Sequence, residues 1–313
     1  MTWEELERRL VDWATARDDV PTLIVVGSRA RPQEADEWSD LDVAFTTTDR
    51  RAYLGGVDWL DEIGEVWLAY VDPLGTTRHV LFAGGLDAGI TPLSHRVVQL
   101  LPRALQLCAR RPYELLPALL RGPLDRRLDV FGSYTRRGVR VLVDKDGAGA
   151  KALAALPVAA DGPGPPGPAR FRAAVHELFF LAVWSAKHLR RGEGWAAARL
   201  GVDGRMKGVL LEMVEWHARA CGRPGVSPGG RRLEDWADPA LLEALRGTFA
   251  HYDEDDLWRA TFATIDLFRR LAKETAERLG LPYDETADRT ATEWLVRCEA
   301  ERRYRIRPAT RRS

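Results

Sequence analysis

The spacing of apolar residues differs between the two halves of the chain. Up to residue 156, short apolar runs rich in β-branched residues alternate with stretches of helical spacing. The predicted strands lie within 22–28, 40–48, 65–73, 78–93 and 137–147, with a helical stretch at 53–64. This alternation predicts an α/β (α+β) domain whose mixed sheet is flanked by helices.

Beyond residue 169 the apolar spacing is helical throughout. The predicted helices lie at 170–191, 205–220, 239–250 and 254–279, with a last one near 286–300. Between the halves, residues 157–169 contain five prolines and three glycines, a composition that ends both helices and strands. We therefore predict an N-terminal domain at 1–156, a linker at 157–169 and an all-α helical-bundle domain at 170–313.

The composition argues against several classes of protein. Of the 313 residues, 45% are hydrophobic, and 46 basic side chains balance 46 acidic ones. This neutral balance favours neither a nucleic acid nor a membrane as partner. The three cysteines form no Cys-x-x-Cys pair, which argues against a disulfide framework or a zinc site. Because the charged N-terminus is unlike a signal peptide and no apolar run is long enough for a bilayer, we expect a cytoplasmic protein. We also expect a monomer.

Two acidic residues stand where a strand is predicted to begin. Asp40 and Asp42 flank Leu41, so the alternation of a strand places both carboxylates on one face. Two like charges at this spacing destabilise a fold unless a cation lies between them. A solvated turn before the strand is the alternative, and the Asp-x-Asp motif alone favours it.

Neighbouring segments favour a metal site. Gly27 and Ser28 directly follow a predicted strand, where backbone N–H groups and a hydroxyl can bind phosphate oxygens. Asp87, after the turn at Gly84–Gly85, supplies a third strand carboxylate, although a cap or turn role would also explain it. Three such acids would hold two divalent cations about 4 Å apart, bridged by a nucleotide triphosphate. Their hard oxygen ligands favour Mg²⁺.

A second segment repeats this pattern. Gly132 and Ser133 are followed by Asp144 and Asp146 at nearly the same spacing. These acids end a predicted strand instead of beginning one, and no later strand before the linker can supply a third acid. We predict a structural role for this second pair.

The segment GSRA…DEWSDLDVAF resembles the signature of the polymerase-beta-type nucleotidyltransferases. The longer pattern is similar to the aminoglycoside 6-adenylyltransferases, antibiotic-resistance enzymes that modify streptomycin. The further matches run in order along nearly the whole chain: WLDEIGE, VLVDKDG, HELFFLAVWSAKHLRRGE, GRRLEDW and LFRRLAKETAERLGLPYD.

The resemblance implies transfer of AMP from ATP to a drug hydroxyl. It implies that Asp40 and Asp42 are metal ligands and that Asp87 is the third acid and candidate general base. The segment GGLDAGITPL and the arginines near residue 231 depart from the family pattern. These departures concern the identity of the substrate more than the reaction.

The predicted helix at 170–191 has two different faces. One is an ordinary apolar stripe formed by Val175, Leu178, Phe179, Ala182, Ala186 and Leu189. The other carries Glu177, Phe180, Trp184, Lys187 and Arg191, a mixture that suits the wall of a cleft. Lys187 or Arg191 would bind the triphosphate, and Glu177 and Trp184 would bind a cationic acceptor. A helix–helix interface with basic ends reaching solvent is the alternative.

The sequence thus predicts an enzyme that binds ATP over Gly27 and Ser28, assisted by Arg29, with Mg²⁺ at the three acids. A hydroxyl of streptomycin or a related aminoglycoside would attack the α-phosphorus, and pyrophosphate would leave. Two alternatives remain open. One is a nucleotidyltransferase of the same fold acting on a metabolite, RNA or protein. The other is a non-catalytic nucleotide-binding sensor.

Overall fold

The structure is a computed structural model that describes residues 1–31, 35–110, 138–156 and 164–306. Its contacts divide the chain into two compact units, Met1–Asp161 and Gly162–Ser313. No helix among these described residues is both long enough and apolar enough to cross a membrane.

The first unit is built on a mixed sheet. Its described strands are β1 (Thr22–Val26), β2 (Leu41–Thr47), β3 (Val66–Val71), β4 (Arg78–Phe82), β5 (Leu86–Ser94) and β6 (Val139–Asp144). They form one sheet in the order β3-β4-β5-β2-β1-β6. β2 and β5 are parallel, whereas the other neighbouring pairs are antiparallel. The flanking helices are α1 (Trp3–Ala16), α2 (Arg50–Gly55), α3 (His95–Arg110) and α4 (Ala148–Ala155). The predicted fold class is confirmed.

One face of this sheet is covered by a hydrophobic core. Leu6, Leu10 and Trp13 of α1 pack with buried residues of the strands, among them Val43 and Phe45. The ring of Trp13 contacts that of Phe45 edge-on, with centroids 5.3 Å apart. The opposite face is partly covered by α3 and α4. Apolar residues of β2 therefore alternate with residues that point away from the main core, and Asp42 is one of these.

The second unit is helical in its described residues. It contains α5 (Pro168–Arg190), α6 (Gly194–Ala196), α7 (Met206–Ala220), α8 (Leu233–Trp236), α9 (Pro239–Arg246), α10 (Glu254–Leu279) and α11 (Glu285–Ile306). The predicted apolar stripe of α5 is buried and packs with residues of α7 and α10, such as Met213 and Phe268.

A nine-residue π-helix, Ala197–Arg205, leads into α7 and was not predicted. It packs tightly on α5, since a Cβ built on Gly201 would lie 2.0 Å from the Ser185 hydroxyl oxygen. π-Helical turns are rare, and their wider spiral disturbs the regular hydrogen-bond ladder. Here the Lys207 ammonium donates to the Val202 carbonyl, at 2.9 Å, and to the Thr264 hydroxyl, at 3.0 Å.

Burial lowers the pKa of Lys207 from its ordinary 10.5 to about 8, although the Asp203 carboxylate opposes the shift. Between these values the unfolded chain binds a proton that the folded chain has lost, so stability rises with pH. From pH 8 to pH 10.5 we expect this group to add about 3 kcal/mol to the free energy of unfolding. Urea denaturation at both pH values measures it.

In the Lys207→Met variant this rise should disappear. The matched control is Lys151→Met, which removes an exposed lysine of α4 and should keep the rise. An equal pH response in the two variants would contradict the assignment to Lys207.

Candidate active site

The chain turns sharply where β1 ends. Gly27 has φ of +82° and ψ of −149°, a conformation that residues with a Cβ avoid. Its N–H donates to the Gly138 carbonyl at 3.1 Å. The following residues, Ser28–Ala30, form one 3₁₀ turn, and Ser28 is buried. A glycine is therefore required at the turn that opens this candidate phosphate-binding segment.

The carboxylate of Asp42 lies between two glycines. In the sheet Asp42 pairs with Val26 of β1 and with Gly89 of β5. A Cβ built on Gly27 would lie 3.4 Å from Oδ2 of Asp42, and one built on Gly89 would lie 2.5 Å from Oδ1. Gly89 therefore supplies the space that the carboxylate occupies beside β5.

Asp87 lies on the same face of the sheet as Asp42. Asp87 and Gly89 are two residues apart on β5, so they share a face, and Gly89 pairs with Asp42. Asp87 is exposed. Asp40 lies one residue before β2 and is also exposed. Because β2 and β5 are parallel, all three acids stand where these two strands begin.

The carboxylate oxygens of Asp40, Asp42 and Asp87, at the start of β2 and β5, are ligands that suit a hard divalent cation. Within the described part of the chain, however, no three His, Cys, Asp or Glu side chains are grouped closely enough to hold a metal ion by themselves. Mg²⁺ is commonly bound by one or two carboxylates together with substrate phosphates and water. The residues present therefore fit a magnesium–nucleotide complex better than a metal held by protein ligands alone.

Arg29 is occupied by the loop that precedes β2. Its guanidinium donates to the carbonyl oxygens of Ser39, at 2.7 Å, and Asp36, at 3.1 Å, and lies 3.9 Å from the ring centroid of Trp3. Burial lowers the pKa of Arg29, and nearby carboxylates, Asp40 among them, oppose the shift. These contacts hold the loop, and the role of Arg29 toward the phosphates stays a prediction.

The second acidic pair has structural partners, as predicted. The Asp144 carboxylate accepts hydrogen bonds from the N–H groups of Gly149, at 3.1 Å, and Ala150, at 2.9 Å, in the first turn of α4. Asp146 accepts from Ala148 N–H at 3.0 Å and lies 2.9 Å from Nε2 of His95. Gly132 and Ser133 lie outside the described residues.

Four predicted site residues lie along α5 or at its C-cap, and therefore in the second unit: Glu177, Trp184, Lys187 and Arg191. Glu177 pairs with Arg170, at 3.9 Å, and with Arg205, at 3.5 Å. The half-buried ring of Trp184 packs against that of His188, with centroids 3.9 Å apart.

Lys187 and Arg191 are exposed. Nζ of Lys187 lies 5.8 Å from the ring centroid of Trp294, and Arg191 is the C-cap of α5. Their roles toward nucleotide or acceptor stay predictions.

Gly89 is the residue of this site that the sequence analysis did not identify. A glycine inside a predicted strand signals a close approach of another group, and GGLDAGITPL shows one directly after the third acid. The group that approaches is Asp42, which the strand register alone reveals.

Comparison with known families gives the class of protein, a nucleotidyltransferase enzyme. The streptomycin adenylyltransferase family matches residues 1–77 and 125–298, and the chain belongs to this family. The matched residues include Gly27, Ser28 and the acidic pair beside Leu41, whereas Asp87 and Gly89 lie outside them. The comparison with curated proteins found no match.

Two solved structures are similar to the chain. An aminoglycoside 6-adenyltransferase from Bacillus subtilis is 16% identical, with 96% of this chain and 99% of that chain covered and a TM-score of 0.41. A nucleotidyltransferase-like protein from Exiguobacterium sibiricum is 14% identical, with 88% of this chain and 78% of that chain covered and a TM-score of 0.31.

The Gly89→Ala substitution tests the position of the Asp42 carboxylate. The new methyl group would overlap Oδ1 of Asp42, which ends a side chain that can rotate, so we expect the fold to survive and the carboxylate to move. Misplacement of a reacting group by about 1 Å costs on the order of 100-fold in rate. The initial rate of pyrophosphate release measures it.

Gly149→Ala is the matched control, because its Cβ would also lie 2.5 Å from a side-chain atom, Cγ2 of Thr22. It should lower stability without changing the rate per folded molecule. Equal rates in the Gly89 and Gly149 variants would show that Gly89 does not position Asp42.

Proposed function

We propose that this nucleotidyltransferase transfers AMP from ATP to a hydroxyl of an aminoglycoside, with streptomycin the first candidate acceptor. The observation that carries the proposal is the placement of Asp42 and Asp87 on one face of two parallel strands, beside the Gly27 turn. Membership of the streptomycin adenylyltransferase family supports the reaction and the class of acceptor.

The turn after β1 and the three acids at the start of β2 and β5 each have a part in this reaction. The N–H groups and hydroxyl of the 3₁₀ turn at Ser28 would bind phosphate oxygens of ATP. Asp40, Asp42 and Asp87 would hold the Mg²⁺ ions, which neutralise phosphate charge when bound. Asp87, which is exposed, would accept the proton of the attacking hydroxyl.

The charged residues of α5 complete the proposal. Lys187 and Arg191 are exposed cations suited to a triphosphate. Glu177 carries a partly exposed carboxylate and is paired through long contacts of 3.5 and 3.9 Å. Such weak pairs can be exchanged for a cationic group of the acceptor. Trp184 would provide an apolar surface beside it.

Incubation with ATP, Mg²⁺ and a panel of aminoglycosides tests the reaction. We expect drug-dependent release of pyrophosphate and a gain of one adenylate unit in the mass of the modified drug. Chelation of the metal should stop both. ATP binding without turnover on any drug would contradict the proposal, and would favour another acceptor or a non-catalytic sensor.

Asp42→Asn should lower turnover by on the order of 100- to 1,000-fold, as for the loss of one charge-stabilising group in an active site. The side chain keeps its size between Gly27 and Gly89, so the melting temperature should change little. Steady-state rates and thermal melts measure the two effects.

Asp144→Asn is the control from the second acidic pair. It weakens the hydrogen bonds to the first turn of α4 and should lower stability while leaving turnover unchanged. Normal adenylation by the Asp42→Asn variant would overturn the assignment of the site.

A further inference from the structure

A pair of stacked rings lies on the two strands beyond Asp87. Tyr70 of β3 pairs with His79 of β4, and their rings are nearly parallel, 19° apart, with centroids separated by 5.0 Å. Tyr70 is 55% exposed, which makes its ring a poor contributor to the core.

The ring pair lies on the same face of the sheet as the acids. His79 pairs with Gly89, and Gly89 pairs with Asp42. Paired residues in a sheet point to the same side. The alternate residues of β4, Val80 and Phe82, are buried on the core face. A straight line across the sheet therefore joins Asp42, Gly89, His79 and Tyr70.

The strand order separates two sides of the candidate site. The Gly27 turn follows β1, which lies on one side of Asp42, whereas β5, β4 and β3 lie on the other side. In the proposed reaction the phosphates bind over the turn and Asp87 of β5 faces the attacking hydroxyl. The acceptor therefore approaches over β5 and its neighbours, which are the strands that carry the rings.

The distances suit one acceptor molecule. Neighbouring strands are about 4.8 Å apart, so His79 lies about 5 Å and Tyr70 about 10 Å across the sheet from β5. A saturated ring next to the one that carries the reacting hydroxyl spans this range. Asp72, at the end of β3, is held by the N–H groups of Thr76 and Thr77 at 2.7 and 2.9 Å and adds negative charge near His79.

We propose that the Tyr70–His79 ring pair binds a cationic ring of the acceptor, with an ammonium or guanidinium group over the exposed face of Tyr70. This inference rests on the proposed function and names the acceptor subsite of the same site. Cations are attracted to the faces of aromatic rings, and the carboxylates of Asp87 and Asp72 reinforce the attraction. An aminoglycoside combines positive charge with rings of this size.

Tyr70→Ala tests the subsite with streptomycin as the probe. We expect the KM for streptomycin at saturating ATP to rise about five- to tenfold, because the cation–ring contact is lost. The KM for ATP should not change. The Kd for streptomycin, measured by calorimetry without ATP, should rise by the same factor, and His79→Ala should act in the same direction.

Two variants are the controls. Tyr70→Phe keeps the ring and should stay within about twofold of the wild type, since the hydroxyl is not required. Trp67→Ala removes another exposed aromatic of β3, one that is 56% exposed and outside the ring pair, and should leave both constants unchanged. An increase in the KM for ATP in Tyr70→Ala would assign the rings to the nucleotide and overturn the proposal.

The two proposals fail in different ways. Adenylation of streptomycin with a KM that does not depend on Tyr70 would leave the reaction standing and refute the subsite. Binding that depends on Tyr70 without release of pyrophosphate would support the subsite and refute the reaction. A wild-type chain that neither binds nor modifies streptomycin or any other aminoglycoside of the panel would refute both.

Discussion

The parallel pairing of β2 with β5 is the constraint on which the positions of Asp42 and Asp87 depend. Asp42 and Asp87 share a face because Leu41 pairs with Ala88 and the side chains of each strand alternate. A shift of the register by one residue would turn a carboxylate toward the hydrophobic core that α1 covers. Buried residues on the opposite face, such as Val43, oppose that shift. The packing of the sheet therefore determines where its charges lie.

Glycine allows the backbone to approach Asp42 from two sides. Gly27 adopts a conformation that other residues avoid, and Gly89 leaves room for a carboxylate oxygen that a Cβ would displace. The backbone at these two glycines thus leaves room for the carboxylate between β1 and β5. At Arg29, in contrast, a charged side chain holds the backbone. Its guanidinium donates hydrogen bonds to the loop before β2 and lies against the ring of Trp3.

The order of the strands also places different groups on the two sides of Asp42. The Gly27 turn lies on one side of Asp42, and the rings of His79 and Tyr70 lie on the other, beyond Asp87. In-line transfer of a phosphoryl group brings donor and acceptor together from opposite sides, and this strand order suits the proposed reaction. The helical unit has its own core, and its π-helix leads into α7, where the largely buried Lys207 lies in the first turn.

The sequence by itself determined most of the strands, the helical second unit and the family, because apolar spacing reflects the buried face of each element and the motifs are local. The predicted run at 78–93 forms two antiparallel strands, β4 and β5. The sequence marked Gly27 and Asp42, which lie near each other in the chain. Only the tertiary structure decided the role of Gly89, the contacts of Arg29 and the alignment of Tyr70 with Asp42. These depend on strand register, which packing between residues far apart in the chain determines and which no short segment encodes.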